Sequence, residues 1–126
     1  MTMLNVGHAV VHTVSGVRDD GGATVSVIAG ALVPTRGYVV AVAGHEHRTP
    51  WPRDLRSQAA RVQAYVHDHR AALAQAGHYL GAWRDGADVV LDVVEILPER
   101  AAAIAAGIAR GEDAIYDLAR GEDIRL

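Results

Sequence analysis

The segment YLGAWRDGADVVLDVVEIL, residues 79–97, decides the fold of this chain. Asp85 and Gly86 form a two-residue signal for a type I′ turn between two alternating segments, so the segment predicts a β-hairpin. Counting outward from a turn at these two residues places Tyr79 opposite Asp92 on the neighbouring strand. Helical patterns flank the hairpin on both sides.

The hairpin has two faces, because successive side chains of a strand point to opposite sides. The aliphatic face, which we expect helices to cover, is formed by Leu80, Ala82, Val89, Leu91 and Val93. The mixed face is formed by Tyr79, Gly81, Trp83, Asp88, Val90, Asp92 and Val94. It is too apolar to be fully solvated, so either residues 3–33 cover it, or a ligand or a second subunit does. The interface candidates on this face are Tyr79, Trp83, Val90, Asp92 and Val94.

Two segments outside the hairpin have helical periodicity. Residues 54–76 carry an apolar stripe at spacings of three and four. Asp54 or Ser57 can cap the start of that helix, and Gly77 can end it. Residues 98–110 predict a second helix, whose Gly107 should allow close approach to the sheet.

The remaining apolar segments predict strands. Residues 38–43, YVVAVA, are typical of a central strand that is buried on both faces. A loop is predicted for residues 44–53, and a further strand for residues 114–118. Residues 3–14 and 24–33 alternate well enough to predict a pair of N-terminal strands.

From residue 37 onward the predicted order of elements is β-α-β-β-α-β. This is the split βαβ, or ferredoxin-like, pattern, in which two helices lie on one face of an antiparallel sheet. An N-terminal β-hairpin precedes it. The sequence therefore predicts an α+β fold in a single domain, with the strand pair in residues 1–36 and the β-α-β-β-α-β unit in residues 37–126.

The composition is that of an ordinary globular protein, with 126 residues of which 50% are hydrophobic and 21% charged. There is no cysteine, and no apolar run of membrane-spanning length, so we predict a cytoplasmic protein without a cofactor. The net charge of −3 is uneven, because residues 45–84 carry six arginines and three acids, and residues 85–126 carry four arginines and ten acids. Such polarity favours a protein partner, or a second copy, over nucleic acid.

The seven histidines suggest a metal site, and their spacing selects among them. His8 and His12 would lie about 13 Å apart on the predicted strand, too far to share an ion. His45 and His47 project to the same side of an extended segment and are the metal-ligand candidates. A catalytic zinc needs three protein ligands, and His69 is the best third one. For His69 we favour the alternative, in which the side chain is buried and bonded to a carbonyl group.

The densest polar cluster is the Arg/Trp segment, which contains Arg48, Trp51, Arg53, Arg56 and Arg61. Arginines beside a tryptophan can bind an anion or stack on a base. They can equally anchor a protein interface, where both residue types are enriched. The remaining interpretation is a solvated loop with Trp51 packed before the helix.

Asp92 is the most unusual carboxylate, because it lies between apolar residues of a strand. Burial would raise its pKa and suit it to general-base catalysis, but we favour the structural interpretation, in which Asp92 accepts a hydrogen bond from a tyrosine or an arginine. The chain contains no G-x-S-x-G, no P-loop and no dinucleotide fingerprint. We therefore assign no catalytic residue and favour a protein that is not an enzyme.

Four segments within residues 78–126 have a recognisable sequence pattern, namely YLGAW, VVLDVVE, RAAAIAAG and AIYDLARGEDI. They resemble segments of small uncharacterised proteins of actinobacteria and their phages or mobile elements. The resemblance implies an accessory role that is exerted by binding other proteins, and it assigns no role to an individual residue.

These observations predict a small non-enzymatic, protein-binding regulatory module that forms a homodimer. The alternative is a small metal- or ligand-dependent enzyme whose pocket lies between sheet and helices and uses His45, His47 or His69 with Asp92. The third hypothesis is anion or nucleic-acid binding through the Arg/Trp segment.

Overall fold

A computed structural model describes residues 2–126 of the chain. The helices are α1 (Val6–Asp20), α2 (Leu55–Asp68), α3 (Arg70–Leu73) and α4 (Arg100–Ala109). The strands are β1 (Gly22–Val25), β2 (Tyr38–Ala41), β3 (His47–Pro50), β4 (His78–Asp85), β5 (Asp88–Leu97), β6 (Ala114–Asp117) and β7 (Glu122–Arg125). The fold class is therefore α+β, as predicted.

Within residues 2–126, seven strands form one curled antiparallel sheet. Six of them lie in the order β1-β4-β5-β2-β6-β7, and β3 pairs with β5 outside this path. The sheet is larger than the four-stranded one predicted for residues 37–126, because β1, β3 and β7 extend it.

The central hairpin is present, but its turn lies one residue later than predicted. β4 ends at Asp85 and β5 begins at Asp88, so Gly86 and Ala87 form the loop. Gly86 has a φ of 62°, and no residue other than glycine has a positive φ among residues 2–126. A left-handed residue at the first loop position alone is the pattern of a type II′ turn, which favours glycine there. The predicted type I′ turn at Asp85 and Gly86 was therefore wrong.

The correction moves each cross-strand pair by two residues and leaves the assignment of the two faces intact, since side chains alternate with a period of two. Tyr79 lies opposite Val94, and Asp92 lies opposite Gly81, so the predicted pairing of Tyr79 with Asp92 was wrong. The five side chains of the aliphatic face are at most 5% exposed. They form the main core with residues of α1 and α2, namely Ala9, Val14, Val17, Val62, Tyr65 and Val66.

The mixed face is largely covered within one copy of the chain. Val90, Val94 and Asp92 are 0%, 3% and 9% exposed. The Tyr79 hydroxyl donates to the carbonyl oxygen of Leu32 at 3.4 Å, so the segment between β1 and β2 contacts this face at Tyr79.

The N-terminal strand pair predicted for residues 3–14 and 24–33 is reduced to one antiparallel bridge, between Leu4 and Ile28, and the rest of the prediction is wrong. Residues from Val6 onward form α1. The Asn5 side chain caps this helix by accepting the backbone N–H of His8 at 3.0 Å. The buried residues of α1 follow helical spacing and are Ala9, Thr13, Val14 and Val17.

The physical reason for this error is that apolar residues at a spacing of four fit either period. Val6, Val10 and Val14 lie on one side of a strand and also on one stripe of a helix. The cap at Asn5 decides between the two conformations. β1 is confined to Gly22–Val25 and pairs with β4, not with an N-terminal strand.

Two further boundaries differ from the prediction. The loop predicted for residues 44–53 contains β3, which pairs with the first half of β5. The helix predicted for residues 54–76 is divided at His69, whose φ of −112° is not helical. The predicted cap is confirmed, since the Asp54 carboxylate accepts the N–H of Ser57 at 2.9 Å.

α4 packs in a second core against β2 and β6, around Val40, Ala103 and Ile115. Gly107 lies at the contact between helix and sheet. A Cβ atom at this position would lie 2.6 Å from Leu126 Cδ1 and 3.0 Å from Ile115 Cγ2. The predicted close approach at Gly107 is confirmed.

Candidate functional site

β5 changes its partner strand at Asp92. Residues 94–97 of β5 pair with β2, and residues 88–91 pair with β3. The Val42 N–H still donates to the Val93 carbonyl at 2.8 Å. Residues 43–46, which we call the crossover loop, then leave the sheet beside Asp92.

The crossover loop brings His45 into contact with the end of α2. The Nδ1 atoms of His45 and His69 are 2.9 Å apart, so one ring donates a hydrogen bond and the other accepts it. Tyr65 holds both partners, since its hydroxyl donates to the His45 carbonyl at 2.6 Å and its ring stacks on His69 with centroids 4.1 Å apart. The fold thus gives His69 a side-chain partner, where the sequence analysis favoured a carbonyl group.

The electrostatic surroundings of His69 disfavour the protonated form of its ring. Burial lowers the pKa of His69, and the nearby rings of His45 and His47 lower it further. The carboxylate of Asp68 acts in the opposite direction. The His69 ring is therefore neutral at pH 7, and its nitrogen atoms can act as a donor and an acceptor.

A small cleft opens between α2 and the strands β3 and β5. Its volume is about 130 Å³, and its lining consists of His47, Thr49, Arg61, Ala64, Tyr65, Asp68, His69 and Leu91. Arg61 closes one side by donating to the Thr49 hydroxyl and, at 3.2 Å, to the Pro50 carbonyl. The cleft therefore combines imidazole, guanidinium, hydroxyl and carboxylate groups in a space that fits only a small ligand.

Asp92 lies in the sheet beside the crossover loop, on the mixed face. It is 9% exposed, and its Oδ1 atom is buried without a hydrogen-bond partner in the described structure. Burial raises the pKa of Asp92 to about 7, and the charges of Glu112 and Glu46 add to the shift. The raised pKa agrees with the general-base hypothesis, whereas the hydrogen bond from a tyrosine or an arginine, which was the favoured interpretation, is not formed at Oδ1.

Gly81 provides space for the Asp92 side chain, and Glu112 contributes to its electrostatic surroundings. Gly81, directly opposite on β4, leaves the space that the carboxylate occupies, since a Cβ there would lie 2.1 Å from Oδ1. Glu112 follows α4 and approaches Asp92 through the packing of that helix. No sequence signal relates Glu112 to Asp92, so the sequence analysis missed it.

The metal-ligand candidates His45 and His47 have different surroundings. His45 is bonded to His69, and His47 lines the cleft. Across residues 2–126, no three histidine or acidic side chains are grouped so that they could hold a metal ion. Metal binding by His45 and His47 therefore stays a prediction that would require these side chains to rearrange.

The Arg/Trp segment is divided between different surroundings. Trp51 packs against the main core, and Arg61 lies in the cleft. Arg53 and Arg56 are exposed on the surface. The Arg48 guanidinium lies on the mixed face, 5.9 Å from the ring centroid of Trp83.

Arg48, a candidate from the Arg/Trp segment, contacts Trp83, an interface candidate from the mixed face. Arg48 also forms ion pairs with Asp85 at 2.8 Å and with Asp88 at 3.5 Å. Trp83 is 43% exposed, whereas Val90, Asp92 and Val94 of the interface candidates are buried and Tyr79 is partly buried. We call Arg48, Trp83, Asp85 and Asp88 the hairpin patch.

Comparisons with protein-family models, with curated proteins and with solved structures found no match. Among the helices formed by residues 2–126, none has both the length and the apolar character needed to cross a bilayer. The features that bear on function are therefore the hairpin patch and the cluster of His45, His47 and His69.

Proposed function

We propose that the chain is a small non-enzymatic, protein-binding regulatory module that acts in the cytoplasm, as an accessory protein of an actinobacterial phage or mobile element. The observation that carries the binding role is the hairpin patch. Trp83 is 43% exposed and is held under the Arg48 guanidinium. Tryptophan and arginine are the residue types that contribute most to protein interfaces.

The ion pairs of Arg48 favour binding because they fix the shape of the patch before a partner arrives. A side chain that is already ordered loses less conformational entropy on association. Asp85 and Asp88 bring two carboxylates against one guanidinium. The patch thus suits a protein surface that places an apolar side chain on Trp83 and a basic side chain beside the two carboxylates.

The test is affinity capture from an extract of the source organism, with Trp83→Ser as the variant. Val11→Ser is the matched control, because Val11 is a 61% exposed apolar residue on α1, away from the hairpin. We expect proteins that are captured by the wild-type chain and by Val11→Ser but lost with Trp83→Ser. An unchanged set of captured proteins, or none enriched by the wild type, would contradict the proposal.

We propose that a homodimer forms through the outer edge of β7, because the mixed face is covered within one chain. β7 is the last strand of the sheet and pairs only with β6 among the described strands. Leu126 donates its N–H to Asp113 at 3.0 Å, so by strand alternation the backbone groups of Asp123 and Arg125 turn outward. Such an edge can pair with another strand.

The sequence of β7 is complementary to its own antiparallel copy. A two-fold axis at Ile124 places Asp123 opposite Arg125 of the second copy, and the same pair repeats on the other side of the axis. Cross-strand pairs of opposite charge stabilise a sheet. Leu126, which follows β7 directly and is 39% exposed, would lose water contact on pairing.

We also propose that β2 to β6 contains a ferredoxin-like unit. Two arrangements support this proposal. The connection through α2 joins β2 to β4 with β5 between them, and the connection through α4 joins β5 to β6 with β2 between them. Helices that connect strands across an intervening antiparallel strand are the defining feature of the split βαβ pattern.

The second candidate function is a small metal- or ligand-dependent enzyme, and one observation favours it. His47 and His69 line one cleft although they are 22 residues apart, and the crossover loop brings His45 onto His69. Zinc analysis of the purified protein tests this candidate. If the protein contains one zinc ion per chain and the variant with His45→Ala and His47→Ala loses it, the enzyme hypothesis would be favoured over the protein-binding hypothesis.

The third candidate function is anion or nucleic-acid binding through the Arg/Trp segment. It is supported by Arg53 and Arg56, whose side chains are exposed and could contact a phosphate group. It predicts an affinity for oligonucleotides that falls steeply as salt is added. Absence of binding at low salt would remove it.

A further inference from the structure

α1 places two exposed histidines side by side on its solvent face. His8 and His12 are one helical turn apart, and their ring centroids are separated by 4.3 Å with an angle of 44° between the ring planes. Both residues are exposed. The sequence analysis excluded this pair because it assumed a strand, on which the two side chains would be far apart. The helix reverses that conclusion.

The backbone that carries the two rings is fixed on its other side. Ala9, Thr13 and Val17 lie beneath the helix and are at most 1% exposed. The Asn5 side chain holds the first turn by its hydrogen bond to the N–H of His8. Because the helix is anchored in this way, a ligand that bridges the two rings has to order only side-chain torsions.

We propose that His8 and His12 form a two-histidine site for a divalent transition metal ion such as Cu²⁺, Ni²⁺ or Zn²⁺. Imidazole nitrogen is a preferred ligand of these ions, and two histidines four positions apart on one helix are the pair that zinc-binding helices use. Two protein ligands leave the other coordination positions to water. A groove that begins at His12 and passes Ser15 leaves room for those water molecules.

This site is separate from the histidines of the crossover loop. His45 and His69 are partly buried, and their Nδ1 atoms are engaged with each other. His8 and His12 are on a different helix, and binding there does not depend on the proposed protein-binding role. The two sites can therefore be distinguished by substitution.

The experiment is a titration of the full chain with Cu²⁺, followed by calorimetry and by electron paramagnetic resonance. Cu²⁺ binds most tightly in the series of divalent ions and reports the nitrogen atoms in its coordination sphere. We expect one bound equivalent with two imidazole nitrogens. The variant with His45→Ala and His69→Ala should retain this equivalent, whereas His12→Ala should lose it together with the two-nitrogen signal.

The matched control combines His12→Ala with Ser15→His, which keeps the number of histidines constant. The two imidazoles on α1 then lie at positions 8 and 15, about 10 Å apart along the helix at 1.5 Å per residue. We expect this variant to fold normally and to lack the two-nitrogen signal. The proposal is overturned if the control binds Cu²⁺ as the wild type does, if the equivalent is lost with His45 and His69, or if the wild type shows no two-nitrogen site.

Discussion

At the scale of single residues, the site contains two groups whose protonation is displaced in ways that favour their neutral forms. Burial raises the pKa of Asp92 to about 7, and burial also lowers the pKa of His69. Their contributions to stability therefore change with pH in opposite directions. Folding favours the protonated form of Asp92 and the deprotonated form of His69.

Replacement of Asp92 by asparagine should stabilise the protein at high pH. In the unfolded chain an aspartate loses its proton near pH 4, whereas the folded chain keeps it up to about pH 7, so ionisation penalises the folded state increasingly between these values and constantly above them. The asparagine side chain is neutral at every pH, so Asp92→Asn should gain on the order of 2–3 kcal/mol more at pH 8 than at pH 5. Urea unfolding at the two pH values measures the difference.

The matched control for this prediction is Asp20→Asn, which removes a carboxylate from an exposed position at the end of α1, outside the proposed dimer contact. We expect its effect on stability to be nearly the same at both pH values. A gain from Asp92→Asn that does not increase with pH would show that Asp92 is ionised at little cost in the folded protein.

The His69 ring should titrate below its ordinary pKa of about 6.5, because burial and the neighbouring histidines oppose its charge. Its contribution to stability is present above pH 6.5 and is lost as the pH falls below that value, since the unfolded chain then binds more protons. The variant His45→Ala removes a ring that lowers the pKa of His69 and should therefore raise that pKa. A histidine-resolved NMR titration measures the shift.

His67→Ala serves as the control, because His67 is exposed in the last turn of α2, two residues before His69. It should leave the His69 titration unchanged. An identical pKa of His69 in the wild type and in His45→Ala would argue against a close electrostatic contact between the two rings.

At the scale of elements, α1 shows how one polar side chain selects a conformation that the apolar pattern left open. Val6, Val10 and Val14 agree with a helix and with a strand. The side chain of Asn5 satisfies an N–H group that the first turn of a helix leaves without a partner. The hairpin was predictable because its turn signal is local, and its faces were assigned correctly although its turn type was not.

Replacement of Asn5 by alanine should destabilise the protein by about 1 kcal/mol, the usual contribution of an N-cap. The alternation predicted for residues 3–14 would not give this result, because Asn5 would then lie in a strand. The measurement is chemical denaturation of Asn5→Ala beside Asn5→Ser. Serine also caps helices, so it should retain most of the stability, and equal losses in the two variants would count against the cap.

At the scale of the whole molecule, the covered mixed face changes where a second copy can bind. Val90 and Val94 are buried within one chain, so the dimer contact proposed here is the edge of β7. This contact depends on the complementarity of Asp123 and Arg125 and should therefore weaken when one of the charges is reversed.

Arg125→Asp should weaken the dimer about tenfold or more, since each of the two symmetric ion pairs becomes a like-charge pair and about 1.4 kcal/mol corresponds to tenfold. Combining Asp123→Arg with Arg125→Asp exchanges the two charges and should restore association. Sedimentation equilibrium over a range of protein concentrations measures both effects. A monomeric wild type, or a double variant as weak as Arg125→Asp, would reject pairing through β7.

The sequence by itself determined those features that depend on neighbours along the chain. These are the α+β class, the alternating faces of β4 and β5, the cap at Asp54 and the small residue at position 107. Each follows from backbone periodicity or from a hydrogen bond within a few positions. The metal candidates His45 and His47 and the unusual Asp92 were also visible as residue types in an unusual context.

Only the tertiary structure decided which of these residues meet. The change of partner strand at Asp92 displaces the crossover loop, which brings His45 to His69. The loop also contributes Glu46, whose charge acts on Asp92 together with that of Glu112, a residue that follows α4. Such contacts depend on strand order and helix packing, which join positions far apart in sequence. The pairing of His8 with His12 also required the helix, because its rise of 1.5 Å per residue brings together side chains that a strand would separate.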